Sequence, residues 1–126
     1  MCEIETTIDV HADLTVHTVT GGVKVQDILD ELRRYFAGVP TRFILWDFTA
    51  AGLEELSTND VRSIVLDARK YAPMRPAGRT AFVVASDVAF GLGRMLDQAL
   101  GALESPTELM TFRDRAAALA WLEAGS

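Results

Sequence analysis

Two carboxylic acids follow predicted buried strands, where an α/β protein could place reacting groups. Asp47 ends the apolar run 43–46, and Asp87 follows a second apolar run, 80–85. In open α/β sheets, ligands gather outside the carboxyl ends of the strands. Two carboxyl groups that lie close together can share a proton and act as general acid and base. An Asp at a strand end more often accepts hydrogen bonds from the following loop or helix, so the sequence favours a capping role for both acids.

Hydroxyl side chains accompany both acids. Ser57 and Thr58 precede a helical pattern, and either can accept a hydrogen bond from the free amides of a first helical turn. Thr49 and Ser86 stand beside the two acids in the chain. Because loops that follow parallel strands share one edge of the sheet, we expect these side chains on one rim. We define this candidate functional rim by six residues, namely Asp47, Thr49, Ser57, Thr58, Ser86 and Asp87.

Neither a metal site nor a bound cofactor is predicted. The chain has two histidines, His11 and His17, and one cysteine, Cys2. The histidines lack the i, i+4 helical spacing of a zinc site, so they would need carboxylates to bind a metal. His11 falls in a predicted turn, and His17 is expected to face solvent or a neighbouring strand. The glycines at 21–22 and 91–93 do not match phosphate-binding patterns, so a turn or close packing is the favoured interpretation.

Length and composition predict one globular domain that covers residues 1–126. Of the 126 residues, 49% are hydrophobic and 24% are charged, which is typical of a soluble domain with its own core. The formal net charge of −6 argues against nucleic-acid binding, because a protein that follows a phosphate backbone needs a basic face.

The cytoplasm is the expected location. A lone cysteine, Cys2, excludes an intramolecular disulfide and fits a reducing compartment. The first five residues lack the basic and apolar regions of a secretory signal. No apolar stretch approaches the ~20 residues that span a bilayer, so we expect no membrane insertion.

The hydrophobic period alternates between 2 and 3.6, which predicts an α/β fold of order β-β-α-β-α-β-α-β-α. Strands that alternate with helices pair in parallel, and an opening hairpin around 11–13 adds one antiparallel edge. The strand 43–48 is apolar on both faces, as expected for a central strand covered by helices on both sides. The predicted strands cover 3–10, 14–20, 43–48, 80–85 and 108–112.

Each helical segment carries an apolar stripe that is expected to pack on the sheet. In the first helix, Glu31 is expected on the outer, solvent-facing side. Pro106 is expected to separate the third helix from the last strand. The residues predicted to face inward are Val25, Ile28, Leu29, Leu32 and Phe36, then Val61, Ile64, Val65 and Ala68, then Leu92, Met95, Leu96, Ala99, Leu100 and Leu103, and finally Ala116, Leu119, Ala120 and Trp121.

Four segments carry a resemblance to a known family. They are the hairpin that leads into Gly21-Gly22, the strand Phe43-Ile44-Leu45-Trp46-Asp47, the segment Phe90-Gly91-Leu92-Gly93-Arg94-Met95, and Phe112-Arg113-Asp114 with the following Ala118-Leu119-Ala120-Trp121-Leu122. In these segments the chain resembles the STAS domains of anti-sigma-factor antagonists and the small uncharacterised STAS-like proteins of bacteria. The resemblance covers nearly the whole chain and implies a SpoIIAA-like fold.

The resemblance implies a non-enzymatic regulatory module that binds a protein partner. Anti-sigma-factor antagonists carry a phosphorylatable Ser at the start of the helix after the central strand, and Ser57 occupies that place. Leu56 stands where the family has Asp, so a plain helix cap is the favoured role of Ser57 and phosphorylation is the weaker alternative.

A second hypothesis is a carrier of a small ligand, such as a lipid, in an apolar pocket, since the chain also resembles the fold class of the lipid-carrying CRAL-TRIO domains. Gly91 and Gly93 would let the third helix approach another surface, leaving Phe90 and Met95 for an apolar contact. The exposed first strand also leaves open a homodimer that pairs through this edge of the sheet.

Overall fold

The structure of the chain is a computed structural model that describes residues 2–101 and 107–125. Within these residues, no helix has both the length and the apolar character needed to cross a membrane. The predicted order of elements is confirmed. The strands are β1 (Glu3–Asp9), β2 (Leu14–Gly22), β3 (Phe43–Gly52), β4 (Gly78–Val83) and β5 (Thr107–Phe112), the helices are α1 (Val25–Ala37), α2 (Thr58–Tyr71), α3 (Asp87–Gly101) and α4 (Arg115–Ala124), and a 3-10 helix (Ala72–Met74) follows α2.

The strands form one sheet whose spatial order equals the chain order, β1-β2-β3-β4-β5. β1 is antiparallel to β2, and the other three pairs are parallel, as predicted. Right-handed crossovers that always step in the same direction place their helices on one face of the sheet. The helices α1, α2 and α3 lie side by side on that face, whereas α4 packs on the opposite face against β3, β4 and β5.

The central strand β3 separates two apolar layers. Ile44 and Trp46 belong to the cluster beneath α1, α2 and α3. Phe43 and Leu45 point the other way and pack with Leu122 of α4. The prediction that this strand is covered on both faces is therefore confirmed. The strand is longer than predicted, because it continues in pairing with β2 as far as its last residue at 52.

The hairpin between β1 and β2 turns on an aspartate. Oδ1 of Asp9 accepts hydrogen bonds from the amides of His11 and Ala12, at 3.0 and 3.1 Å. Asp13 takes a positive φ of 52°, which short polar side chains tolerate better than most. Val10, predicted as the last strand residue, lies in this turn and is exposed.

Most predicted helical stripes face the sheet, with exceptions that matter below. Glu31, predicted to point outward, is only 5% exposed. Met95, predicted to point inward, is 39% exposed. The predictions for Leu103 and Pro106 fall outside the described residues. On α1, Glu31 occupies a buried position of the same stripe as Ile28 and Tyr35, but a hydrophobic pattern does not include a charged residue.

The buried stripe of α4 is displaced from the predicted one. Ala118 and Leu122 are buried, whereas Ala116 and Ala120 are exposed. Almost every residue of α4 is apolar, so periodicity alone does not select one face of this helix.

Helix α3 approaches β5 closely at a glycine. A Cβ atom on Gly93 would lie 2.6 Å from Cγ2 of Thr111, whereas a Cβ on Gly91 would meet nothing within 4 Å. The close-packing role expected for these glycines therefore applies to Gly93.

Candidate functional site

Asp47 stabilises an irregular part of β3. The pairing of β2 with β3 shifts register between Thr18 and Thr20. Beside this shift, Oδ1 of Asp47 accepts hydrogen bonds from the amide and the hydroxyl of Thr49, at 3.0 and 2.6 Å. Nη1 of Arg115 donates to Oδ2 of Asp47 at 2.5 Å. The carboxylate thus caps the distorted strand and ties it to the start of α4.

The electrostatics of Asp47 are those of an ion-paired cap. Burial alone would raise the pKa of its carboxyl, but the hydrogen bonds from Thr49 and the Arg115 guanidinium outweigh burial and lower the pKa. A proton shared between two carboxyl groups requires a raised pKa on one of them. Asp87, with a side chain 96% exposed, pairs with a different arginine, Arg113.

Two hydroxyls of the candidate functional rim, those of Ser57 and Ser86, serve as helix caps. Oγ of Ser57 accepts from the amide of Asp60 at 3.1 Å, and Oδ2 of Asp60 accepts from the amide of Ser57 at 2.9 Å, which is a capping box. Thr58 is the exposed first residue of α2. Oγ of Ser86 accepts from the amide of Ala89 at 3.1 Å, at the start of α3. A functional role for the rim, and phosphorylation of Ser57, stay predictions.

The apolar surface predicted at Phe90 and Met95 lies on α3. Phe90 is half-buried and Met95 is exposed. The neighbouring α3 residues Leu92, Gly93 and Leu96 line a cavity.

This cavity of about 150 Å³ lies between the sheet and the layer formed by α1, α2 and α3. Two of the residues that line it have a buried side-chain nitrogen without a hydrogen-bond partner in the described part of the chain, His17 from β2 and Arg75 from the segment after the 3-10 helix. The rest of the wall is overwhelmingly apolar and includes Leu32, Trp46, Leu53, Ile64, Phe82 and Leu96.

A single row of residues crosses the sheet beneath the cavity. Thr6 of β1, His17 of β2, Trp46 of β3, Phe82 of β4 and Thr111 of β5 stand in register. Side chains of residues in register project from the same face of a sheet. The three central members of this row line the cavity.

His17 is held by two polar side chains from neighbouring elements. Its Nδ1 lies 2.9 Å from Oγ1 of Thr6 and 3.2 Å from Oε1 of Glu31. The Thr6 hydroxyl donates to the same Oε1 at 2.6 Å. Oε2 of Glu31 accepts from Arg34, whose Nη2 lies 2.8 Å away. Of these residues, His17 is completely buried and Glu31 nearly so.

These contacts determine which imidazole nitrogen carries the proton. The single hydroxyl hydrogen of Thr6 is used in the bond to Glu31, so its oxygen is an acceptor toward His17. The Glu31 carboxylate is also an acceptor. Nδ1 of His17 must therefore carry the hydrogen, and Nε2 of the neutral ring carries a lone pair. Within residues 2–101 and 107–125, this buried Nε2 has no hydrogen-bond partner.

The imidazole is neutral at physiological pH. Burial lowers the pKa of His17 to about 4, against the opposing effect of the nearby Glu31. The Trp46 ring lies 4.1 Å from the imidazole, centroid to centroid, and the Tyr35 ring approaches it edge-on at 5.8 Å. The site therefore contains Nε2 of His17 as an uncharged hydrogen-bond acceptor among mostly aromatic and aliphatic groups.

The described part of the chain contains no group of three or more His, Cys, Asp or Glu side chains that could hold a metal ion. The pair formed by His17 and Glu31 offers two such side chains, and Nδ1 of His17 is already engaged.

The comparisons with known proteins identify the architecture. No family model matches the chain, and no curated protein matches it. The structure is similar to the crystal structure of an uncharacterized protein from the DUF3478 family with a SpoIIAA-like fold, from Shewanella loihica PV-4. The two share 19% sequence identity, the match covers 96% of this chain and 93% of the other, and the TM-score is 0.58. The fold is SpoIIAA-like. At this level of identity, the likeness carries the fold and not a function.

On this SpoIIAA-like fold, the sequence interpretation missed the cluster of Thr6, His17 and Glu31. A usable signal was present in β2, where His17 alternates in phase with the buried residues Thr15 and Val19. For Glu31 the signal is weaker. Its spacing of three residues from the inward Ile28 fits the same stripe. Its charge, however, is buried only where a partner is present, and the sequence does not show that partner.

Proposed function

We propose that this protein binds a small, mostly apolar molecule in the cavity, and that a hydroxyl or N–H group of that molecule donates a hydrogen bond to Nε2 of His17. The proposed role is binding without catalytic turnover. The observation that carries it is the unpartnered Nε2 of His17, a completely buried residue that lines an apolar cavity. This favours the ligand-carrier hypothesis over the protein-interaction module, which stays a prediction.

The size of the cavity supports a ligand with one ring or a short alkyl chain. A dry cavity of about 150 Å³ lined by aliphatic and aromatic side chains is large enough to bind benzene. The cavity here has about that volume and a comparable wall. Phenol combines such a ring with one hydroxyl donor, so it is a suitable probe.

The unpartnered nitrogen supplies the preference for a donor. A buried acceptor without a partner costs about 1–3 kcal/mol. A ligand hydroxyl that meets Nε2 of His17 removes this cost, whereas a methyl group of similar size does not. Since the contacts of Nδ1 with Thr6 and Glu31 hold the imidazole ring, the preference depends on one atom of the protein.

The test compares phenol with toluene by isothermal titration calorimetry at pH 7. The ratio of the toluene Kd to the phenol Kd is measured for the wild type, for His17→Phe and for His11→Gln. We expect this ratio to fall by about tenfold in His17→Phe, since about 1.4 kcal/mol corresponds to one factor of ten. The exposed His11 serves as the matched control, and its substitution is expected to leave the ratio unchanged.

Two results would contradict the proposal in different ways. Absence of binding for both probes in the wild type would remove the ligand-binding function. Binding with an identical ratio in the wild type and His17→Phe would retain the cavity as a site but reject the role of Nε2. A third measurement, native mass spectrometry of the purified protein, is expected to detect a copurified small molecule.

A further inference from the structure

We infer that the ligand of the cavity is a carboxylic acid whose carboxylate pairs with Arg75. This inference rests on the proposed function and names the charge of the ligand. Arg75 lines the same cavity as His17, and its Nε is buried with no hydrogen-bond partner in the described part of the chain.

All hydrogen bonds that the structure gives to Arg75 end on neutral oxygens. Nη1 donates to the hydroxyl of Thr80. Nη2 donates to the carbonyl of Arg42 at 2.9 Å and more weakly to that of Arg79 at 3.4 Å. These bonds orient the guanidinium between β3 and β4, but they do not neutralise its charge.

The other arginines differ from Arg75 in this respect. Four of the remaining arginines, Arg33, Arg42, Arg62 and Arg69, are exposed to water. Among the described residues, Arg75 is largely buried and forms no ion pair with a carboxylate. Five other arginines form such ion pairs, namely Arg34 with Glu31, Arg79 with Glu108, Arg94 with Asp97, Arg113 with Asp87, and Arg115 with Asp47.

The uncompensated charge favours an anion. Burial lowers the pKa of Arg75 to about 10, opposed by weaker effects of Tyr35 and Asp13, so the side chain stays protonated at pH 7. A buried cation without a counter-ion is costly, and a carboxylate that pairs with it forms one of the stronger hydrogen bonds in proteins.

The position of Arg75 separates the carboxylate of the ligand from its donor group. Thr80, which accepts a hydrogen bond from Arg75, lies two residues before Phe82 on β4. Phe82 is in register with His17, which lies two strands away on β2. At about 4.8 Å per strand and about 3.3 Å per residue, the Cα atoms of His17 and Thr80 are about 12 Å apart. Arg75 and His17 therefore belong to different parts of the sheet, so the carboxylate and the donor are two separate groups of the ligand.

The experiment compares 3-phenylpropanoate with 3-phenylpropanamide, which share an apolar body and differ in charge. Calorimetric titrations at pH 7 use the wild type, Arg75→Gln and Arg69→Gln, with phenol as the probe of the cavity itself. In the wild type we expect the acid to bind roughly tenfold more tightly than the amide, or more. This preference is expected to vanish in Arg75→Gln and to persist in Arg69→Gln, which removes the same charge from the exposed end of α2.

The outcomes separate the inference from the proposed function. If the wild type binds phenol but does not prefer the acid to the amide, the inference is overturned and the proposed function stands. If neither phenol nor the acid binds, both fail. If Arg75→Gln does not fold, Arg75→Lys, which keeps the charge without the planar guanidinium, is compared, and the ratio of acid to amide in the wild type remains decisive.

Discussion

Burial affects the ionisable residues Asp47 and His17 in different ways, and the difference lies in their partners. Asp47 receives two hydrogen bonds from Thr49 and one from Arg115, which together outweigh the cost of burying its charge. His17 has one carboxylate nearby, Glu31, and this does not outweigh desolvation, so its pKa falls. Asp47 therefore keeps its charge in the folded protein, whereas His17 loses it.

The low pKa of His17 predicts a loss of stability in mild acid. The pKa is about 4 in the folded state against 6.5 for the free side chain, so the unfolded chain binds the proton more readily. The contribution of His17 to the free energy of unfolding is therefore fully present above pH 6.5 and is lost as the pH falls toward 4. We expect the free energy of unfolding to be about 2 kcal/mol lower at pH 5 than at pH 7. Urea denaturation at both pH values measures this difference.

The control for this pH dependence is the other histidine. His17→Phe is expected to show a smaller loss between pH 7 and pH 5 than the wild type, whatever its absolute stability. His11→Gln, in the exposed turn, is expected to retain the wild-type dependence. Equal losses in the wild type and His17→Phe would assign the effect to other groups.

We expect the two acids of the candidate functional rim, Asp47 and Asp87, to respond differently to substitution by asparagine. Asp47→Asn weakens the bond to Arg115 and removes a buried charge with three donors, so we expect a loss of about 2 kcal/mol in the free energy of unfolding. Asp87→Asn changes an exposed side chain, and its urea midpoint is expected to match that of the wild type. A tolerated Asp47→Asn would show that the cap contributes little and would return Asp47 to the list of functional acids.

At the scale of single elements, α3 is the helix whose position depends most directly on a missing side chain. Gly93 lets the helix backbone lie against Thr111 of β5. The Thr111 hydroxyl donates to Oδ2 of Asp97 at 3.0 Å, which restrains the side chain that a Cβ would strike. The distance between α3 and the sheet, and with it the cavity wall, therefore depends on this contact.

The two glycines of α3 form a matched pair for testing this contact. Gly93→Ala introduces a clash with a restrained side chain, and we expect it to destabilise the protein by about 1–3 kcal/mol. Gly91→Ala has open space and gains helix propensity, so we expect it to stabilise the protein by about 0.5–1 kcal/mol. Thermal unfolding of both variants measures the difference, and effects of equal sign would contradict the close-packing role.

At the scale of the whole molecule, the sequence predicts the layers better than what lies between them. The order of strands and helices follows from local periodicity, and the central position of β3 from its apolar character on both faces. The cavity depends instead on how three helices sit relative to one another, which no local pattern encodes. The burial of Glu31 depends on Thr6 and His17, which lie far from it in the chain. The candidate functional rim does have a local pattern, but the pattern does not distinguish a functional site from a cap. Acids and hydroxyls at strand ends are common in helix caps.

The position of Trp46 beside His17 has a practical consequence. The chain contains two tryptophans, and the second, Trp121, lies on the opposite face of the sheet with the Arg79 guanidinium 4.7 Å from its ring centre. Indole emission depends on the polarity of its surroundings and is quenched by a protonated imidazole in contact. In a Trp121→Phe protein, the fluorescence of Trp46 would report on both the filling of the cavity and the ionisation of His17, so the molecule carries its own optical sensor without a label.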